Sequence, residues 1–246
     1  MSEAPAADYT ICILETLARS HGLMGISDIS RETGINKNAV SRVLGALTDS
    51  GWIYQDGVKY QLTLKPFRIV SSALGRNSFF TAAQPVLQQL WEETGDSCYI
   101  GILKNDAVLY LGHIDSTRDL KIAGRVGGSY PLATTAPGKV LLAYADASYR
   151  ERYMREVLRY SSEQCEAFEQ ILAVVRRNGW AMDVEEYGPG IICFAAPVFD
   201  LEGRVAGTIG VSTSTVYCSK EELMVNQGRK VIDAARKLSE KLGAEL

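Results

Sequence analysis

The chain has 246 residues, 46% of them hydrophobic, and a formal net charge of −3 at pH 7. This length favours one small and one medium domain over a single core. No apolar run approaches the roughly 20 residues that cross a bilayer, and residues 1–7 lack the features of a signal peptide, so a cytoplasmic location is expected. Five scattered cysteines and two histidines offer no zinc-ligand spacing, and neither a metal nor a cofactor is expected.

A helix-turn-helix is predicted in the first third of the chain. Residues 10–19 carry apolar side chains at helical spacing and predict a supporting helix. Ser27 stands where an N-cap is needed for a helix of about two turns, and Gly34 is a candidate for its left-handed C-cap. Asn36 can then cap a second helix. The inward face of that helix is formed by apolar residues spaced i, i+3, i+4 and i+7, namely Val40, Val43, Leu44 and Leu47.

The outer side of this second helix carries donors and acceptors that suit DNA. An α-helix fits the major groove, where Asn38 or Arg42 can read a base edge, while Ser27 or Lys37 can hold a phosphate. The same side chains also suit a solvated helix face, so the helix alone leaves both interpretations open. The residues expected to contact DNA are Ser27, Lys37, Asn38, Ala39, Ser41, Arg42 and Lys59.

A hairpin follows the second helix and favours the DNA interpretation. Residues 51–55 and 58–62 predict two strands joined by a turn at Asp56-Gly57. A hairpin attached to a helix-turn-helix is a wing, and Lys59 near its tip can contact the DNA backbone or minor groove. The first third therefore predicts a winged helix-turn-helix.

Bulk charge gives the DNA interpretation no support. Residues 1–62 contain five Lys and Arg against seven Asp and Glu, whereas a basic domain would by itself have favoured nucleic acid. Between 63 and 80, however, every charged residue is basic: Lys65, Arg68 and Arg76. Part of the positive charge that phosphate contacts need is therefore expected from this linker.

The remaining two thirds predict helices that flank hairpins. A helix is predicted over Thr81–Thr94, and Ser219 with Glu222 makes a capping box for a long final helix to Leu242. A further helix runs from Ser161-Ser162 to Gly179, with an apolar face of Phe168, Ile171, Leu172 and Val175. The predicted hairpins pair 97–103 with 107–113, around Lys104-Asn105-Asp106, and 192–199 with 204–213. This pattern indicates an α+β domain with a mainly antiparallel sheet.

Three segments of the chain carry a resemblance to the IclR family of bacterial regulators. Ile26–Leu44 is similar to that family's reading head, a Gly-apolar-x-Lys-Ser/Thr-Thr/Ala-Val-x-Arg-apolar-Leu run across the turn and recognition helix. Arg125–Leu132 followed by Thr135–Ala143 resembles its Arg-Val-Gly…Pro-Leu…Thr-Ala-x-Gly-Lys segment, and Asp183–Tyr187 with Cys193–Asp200 resembles a second signature. The likeness covers nearly the whole chain in order.

The resemblance implies a division of the chain and a fold for each part. A winged helix-turn-helix DNA-binding domain is expected over 1–63, and a linker helix over 64–80. An effector-binding and oligomerisation domain with a GAF-like fold is expected over 81–246.

The resemblance also places a small-molecule effector in a cup of the C-terminal domain. The contacts it implies are Ala133, Thr134, Gly138, Leu141, Asp183, Cys193, Gly210 and Ser212. A helix N-terminus near Gly138 has free amide donors and a positive dipole end, which suit the carboxylate of a small organic acid. Family members often have serine where this chain has Gly210. Loss of that hydroxyl is expected to enlarge the pocket and admit a bulkier or more aromatic acid.

The function expected is a sequence-specific transcription regulator, repressor or activator, of a catabolic operon under effector control. Its expected partners are double-stranded operator DNA, the effector and further copies of itself, as a dimer or a dimer of dimers, because one short helix reads only a few base pairs. The alternative is a ligand-sensing or enzymatic domain whose winged head contacts proteins, which the acidic head favours. Catalysis is not expected, since Cys193 and His113 are the only Cys/His pair worth testing and no phosphate-binding loop has the required spacing.

Overall fold

The structure, a computed structural model, describes residues 5–20, 22–74 and 78–245 and divides into two compact units. The first unit is Met1–Arg76 and the second Asn77–Leu246, so the division falls inside the expected linker 64–80. Among the described residues no helix is both long and apolar enough to cross a bilayer.

The first unit is a winged helix-turn-helix. Its elements in chain order are α1 (Pro5–Arg19), β1 (Met24–Gly25), α2 (Ile26–Thr33), α3 (Lys37–Asp49), β2 (Ile53–Asp56), β3 (Lys59–Leu62) and α4 (Lys65–Leu74). The three strands form an antiparallel sheet in the order β1-β3-β2. Ile13, Ile29, Val40 and Leu44 are fully buried where the three helices meet, which confirms the inward face predicted for the second helix.

Two of the predicted helix caps are confirmed and one is wrong. Gly34 ends α2 with φ 71°, and Asn36 Oδ1 accepts the Ala39 N–H at 2.9 Å at the start of α3. Ser27, however, lies within the first turn of α2, because the N-cap is Gly25. The backbone N–H of Gly25 bonds to the Asp28 carboxylate at 3.4 Å, so an acid three residues on closes this end instead of a hydroxyl.

The wing hairpin turns one residue later than predicted. Asp56 pairs with Lys59, so the two-residue loop consists of Gly57 and Val58. Gly57 has φ 56°, the left-handed conformation that a tight hairpin loop requires and that glycine adopts without strain. Val58 is 79% exposed at the tip.

The second unit is an α+β domain built on a six-stranded sheet. Its helices are α5 (Ser78–Thr94), α6 (Ala136–Tyr144), α7 (Ala147–Arg152), α8 (Ser162–Asn178), α9 (Lys220–Leu223) and α10 (Arg229–Lys241). Its strands are β4 (Ser97–Lys104), β5 (Ala107–Ile114), β6 (Ser129–Pro131), β7 (Ala181–Val184), β8 (Ile191–Phe199) and β9 (Val205–Ser214). The strand order is β6-β5-β4-β9-β8-β7 with every pairing antiparallel, so the predicted fold class is confirmed.

The sheet separates two hydrophobic cores. Side chains alternate between its faces, so Ile100 and Phe194 pack with α5 and α10, whereas their neighbours Tyr99 and Cys193 pack on the side of α6 and α8. Because both faces are covered by helices, the strands read as nearly continuous apolar runs. The candidate site lies on the α6 side.

Two predictions for the helices of this unit need correction. Ile171 of α8 was expected to face inward, but its side chain is 48% exposed. The long final helix is interrupted, since a π-helical turn over Met224–Gly228 separates α9 from α10. The capping box of Ser219 and Glu222 is confirmed, with N–H···O distances of 2.8 and 3.2 Å.

Candidate functional site

Three of the expected effector contacts form a row across adjacent strands. Asp183 on β7 lies opposite Cys193 on β8, and Cys193 lies opposite Ser212 on β9. Directly paired residues of antiparallel strands project from the same face, so the three side chains stand side by side. All three are buried, and Cys193 Sγ lies 3.2 Å from Ser212 Oγ.

This row forms one wall of a cavity. The cavity has a volume of about 30 Å³. Its lining residues are Tyr110, His113, Ile122, Ala123, Gly124, Tyr130, Thr135, Pro137, Asp183, Tyr187, Ile191, Cys193 and Ser212. Of the eight expected contacts, Asp183, Cys193 and Ser212 therefore line the cavity, and the other five do not.

Asp183 offers the cavity an unused acceptor. Its Oδ1 accepts the backbone N–H groups of Glu186 at 2.9 Å and Tyr187 at 3.2 Å, and these bonds hold the carboxyl group in place. Its Oδ2 is buried and lacks a well-formed hydrogen bond to any described residue. Burial raises the pKa of Asp183, and the two backbone donors offset only part of that effect. A buried polar atom of this kind costs free energy unless a ligand or water satisfies it.

Cys193 is placed as a neutral contact and not as a nucleophile. Burial, together with the neighbouring Asp183 carboxylate, raises the pKa of its thiol to about 12, so the thiolate that attack would require is absent at neutral pH. His113 lines the same cavity, and burial lowers the pKa of its imidazole. The un-ionised thiol therefore suits binding and not nucleophilic attack.

A stack of aromatic rings leads into the cavity, and the sequence pattern does not predict it. The ring centroids of Tyr99 and Tyr110 lie 4.9 Å apart, and those of Tyr110 and Tyr130 lie 4.2 Å apart. Tyr110 also stacks on His113 at 6.0 Å, and Tyr130 meets Tyr187 edge-on at 6.2 Å. The cavity thus combines a polar row on the sheet with an aromatic wall.

A bulge explains why alternation along β5 fails to predict this wall. Gly112 pairs with Ile100 and Tyr110 with Gly101, which leaves Leu111 without an opposite residue. The bulge shifts the alternation by one residue, so Tyr110 and His113, three positions apart, both project toward the cavity. The signal available in the sequence was the tyrosine at 130, inside the segment that resembles the family motif.

The expected role of Gly138 needs correction. Its N–H donates to Thr135 Oγ1 at 3.2 Å, so the amide that was expected to bind a carboxylate is occupied by the helix cap. A Cβ at Gly138 would overlap the backbone of Leu132, so glycine is required for close packing of α6. Thr135 and Pro137 line the cavity in its place.

The other expected contacts on and before α6 lie away from the cavity lining. Leu141 and Ala133 are buried in the core beneath α6, and Thr134 is half-buried. Lys139, the cation next to Gly138 in sequence, is also buried, and its Nζ donates to Glu186 Oε1 at 2.5 Å. This ion pair links α6 to the segment after β7, so its charge is already compensated.

The expectation that Gly210 enlarges the pocket is wrong. A side chain at this position would overlap Phe194 O and would begin 2.6 Å from Tyr99 Oη. The space left by the missing side chain is therefore filled by Tyr99, whose hydroxyl donates to Phe194 O at 3.4 Å. Gly210 shapes the cavity through the tyrosine that it admits.

The candidate DNA-reading surface is the exposed side of α3. Four polar residues there are exposed, and none of them has a salt bridge within the described part of the chain: Lys37, Asn38, Ser41 and Arg42. Lys59 on the wing and Ser27 at the start of α2 are exposed as well. The expectation that Ala39 contacts DNA needs correction, because this residue is only 3% exposed and packs into the core of the unit.

Comparison with known proteins identifies this arrangement. The model of the IclR helix-turn-helix domain matches residues 6–57, and the model of the bacterial transcriptional regulator IclR C-terminal domain matches residues 71–240. The chain belongs to the IclR family. It is a DNA-binding transcription regulator and not an enzyme, so the alternative of a winged head that only contacts proteins is not retained.

Relatives and solved structures match this regulator along nearly its whole length. It is 33% identical over 238 residues to the HTH-type transcriptional regulator KdgR of Escherichia coli, covering 94% of this chain and 90% of KdgR. It is 30% identical to the glycerol operon regulatory protein of Streptomyces coelicolor, covering 94% of each. An IclR homologue of Microbacterium hydrocarbonoxydans, solved with 4-hydroxybenzoate, shares the fold with a TM-score of 0.82 at 21% identity, covering 98% of this chain and 100% of that one.

Proposed function

We propose that this regulator responds to a small organic acid that carries a hydroxyl group and binds at the row of Asp183, Cys193 and Ser212. The observation that carries the proposal is the buried Asp183 Oδ2, which has no well-formed hydrogen bond to any described residue although Asp183 lines the cavity. A ligand hydroxyl donating to this oxygen would remove the cost of an unsatisfied buried acceptor. The N-terminal end of α6, at Thr135 and Pro137, faces the same cavity and supplies the positive dipole end for the ligand's carboxylate.

Two sizes of acid are supported by different observations. The small volume of about 30 Å³ favours a compact aliphatic acid over a bulky one. The aromatic wall of Tyr110 and Tyr130 instead suits a hydroxybenzoate, and the Microbacterium homologue was solved with such a ligand. An aromatic acid would require lining side chains to move, and Tyr187, one of the lining residues, is 44% exposed.

Control of a catabolic operon and action as a homo-oligomer complete the proposal. The glycerol operon regulator among the relatives supports a role in carbon-source use, and binding to operator DNA is consistent with the proposed cytoplasmic location. Self-association through the first unit is supported by exposed apolar residues on and before α4: Leu64, Phe67 and Ile69. A second copy that covers them would bring two α3 helices to neighbouring half-sites.

A thermal-shift screen with matched acids tests the effector class. The pairs lactate with propionate, and 4-hydroxybenzoate with benzoate, differ by one hydroxyl. A hydroxy acid that binds should raise the stability of the native state by about 2.7 kcal/mol at a hundredfold excess over its Kd, and its hydroxyl-free partner should bind much more weakly. Asp183→Asn should reduce the shift, whereas Asp233→Asn, at a half-exposed aspartate of α10 that does not line the cavity, should leave it unchanged. Equal shifts by both acids of a pair would contradict the role given to Asp183.

A further inference from the structure

Helix α8 has a second apolar stripe that its own unit leaves uncovered. The helix packs inward through Cys165, Phe168, Leu172 and Val175. Outside that stripe, Ile171 is 48% and Val174 42% exposed, and Ala167 is exposed beside them. At 3.6 residues per turn these three lie about a third of a turn from the buried stripe. They form a narrow apolar surface, which we term the α8 stripe.

The spacing of the α8 stripe is that of a helix pair. Ala167 and Val174 are seven residues apart, and Ile171 lies between them at the spacing of a heptad seam. Glu163 and Arg177 are fourteen residues apart, so they share one heptad position at the edge of this seam. In an antiparallel pair of α8 helices centred near residue 170, Glu163 of each copy lies opposite Arg177 of the other.

The charges at the two ends of α8 are disposed for such a contact. Arg177 is exposed and has no salt bridge within the described residues, whereas the adjacent Arg176 pairs with Glu169 at 3.6 Å. Glu163 is exposed at the opposite end, where Ser161 Oγ donates to it at 2.7 Å and holds the carboxylate at the helix start. A second α8 in antiparallel orientation would supply each of these charges with an opposite partner.

We propose that the α8 stripe is an isologous interface with the α8 stripe of a second copy of this chain. One pair of 17-residue helices, each about 25 Å long, buries less area than a stable dimer needs, so this contact is weak by itself. It becomes effective where another contact already joins the copies, because the second contact is then intramolecular. The α8 pair would therefore join two operator-bound dimers into a dimer of dimers, independently of which effector binds.

Charge reversal in the full-length protein tests this interface. Sedimentation velocity across a concentration series should show that Glu163→Arg and Arg177→Glu each weaken the highest assembly about tenfold or more, because each creates two like-charge contacts across the twofold. The double variant should restore the assembly. Ile171→Glu should abolish it, while Ile232→Glu, at an isoleucine 40% exposed on α10, should not. Singles that weaken assembly without rescue by the double variant would overturn the proposal.

Disulfide trapping gives a second measurement that does not depend on affinity. Gln170 is exposed at the centre of the antiparallel pair, so Gln170→Cys should form a disulfide between copies under mild oxidation. Gln89→Cys, at an exposed glutamine of α5, is the control: it measures the disulfide formation that arises from random collisions and from the native cysteines. Equal trapping of the two variants would overturn the proposed α8 interface. So would the finding that Ile171→Glu leaves the assembly of the protein unchanged.

Discussion

Gly210 and Tyr99 lie opposite each other on β9 and β4, and the phenol of Tyr99 occupies the space that any side chain at 210 would need. Tyr110 stacks on Tyr99, and Tyr130 stacks on Tyr110 at the cavity wall. A glycine in the middle of a strand thereby sets the position of aromatic rings that line the candidate effector cavity. The consequence of Gly210 is therefore the placement of Tyr99, and not a pocket enlarged by the loss of a serine hydroxyl.

Substitution of Gly210 tests this relationship. Gly210→Ala should destabilise the second unit by about 1–3 kcal/mol, because the new methyl group overlaps Phe194 O and displaces Tyr99. It should also weaken the response to hydroxy acids, since the wall formed by Tyr110 moves with Tyr99. Gly45→Ala on the exposed side of α3 is the control for added helix propensity and should be neutral or slightly stabilising. A stable Gly210→Ala variant with an unchanged Tyr99 would contradict the packing argument.

Gly138 is expected to be a packing residue. Gly138→Ala should lower the melting temperature markedly, because its Cβ collides with the backbone of Leu132, which cannot move as freely as a side chain. Differential scanning calorimetry measures the change. If the variant kept its stability and lost only its response to acids, Gly138 would be an effector contact after all.

The buried carboxyl group of Asp183 is expected to lower the stability of the native state while it contributes to ligand binding. Asp183→Asn keeps an oxygen for the N–H groups of Glu186 and Tyr187 but removes a buried charge, so the variant should be more stable than wild type at pH 7. Because the folded pKa of Asp183 is raised, its ionisation destabilises the native state. This penalty is absent below the ordinary pKa of 3.8, grows as pH rises through the folded pKa, and is constant above it.

Unfolding of the two proteins over a pH series measures this difference. The stability gap between Asp183→Asn and wild type should shrink on acidification through the folded pKa and disappear below about pH 4. A gap that stayed constant with pH would mean that the substitution acts through packing and not through charge. An Asp183→Asn variant that bound hydroxy acids as tightly as wild type would separate the carboxyl group from the site.

The exposed cations of α3 are expected to contact DNA. Lys37→Ala should weaken binding to all duplexes by a similar factor and lower the salt slope of binding by about 1, as expected for loss of one phosphate contact. Arg42→Ala should in addition relax the choice of sequence, at about 1–3 kcal/mol for a base contact. Fluorescence anisotropy at several salt concentrations measures both effects. Lys241→Ala removes the same charge from the second unit and should change neither.

Features set by local chemistry were predictable from the sequence. Gly34 and Asn36 mark helix ends because a left-handed glycine and a side-chain acceptor act within a few residues of the backbone groups that they satisfy. The α+β class was predictable from hairpins and from helices whose apolar residues recur at helical spacing. The strand row of Asp183, Cys193 and Ser212 entered through the family resemblance, and the register of the sheet explains why the three meet.

Features set by tertiary packing were not predictable. The bulge at Leu111 depends on how β5 pairs with β4, so alternation along β5 alone assigns Tyr110 or His113 to the wrong face. The role of Gly210 depends on Tyr99, which lies opposite it in the sheet but far away in sequence. The side of α8 that is buried depends on where α6 lies, and for this reason Ile171 was placed in the core although it is exposed.

We expect binding of an acid at the row of Asp183, Cys193 and Ser212 to be coupled to operator binding. Operator duplexes selected from random sequences by the purified protein provide the DNA for anisotropy titrations with and without the acid that gives the largest thermal shift. We expect this acid to change operator affinity, operator to change the acid's affinity by the same factor, and Asp183→Asn to abolish both changes. An operator affinity that responds to the acid equally in wild type and Asp183→Asn would contradict this coupling.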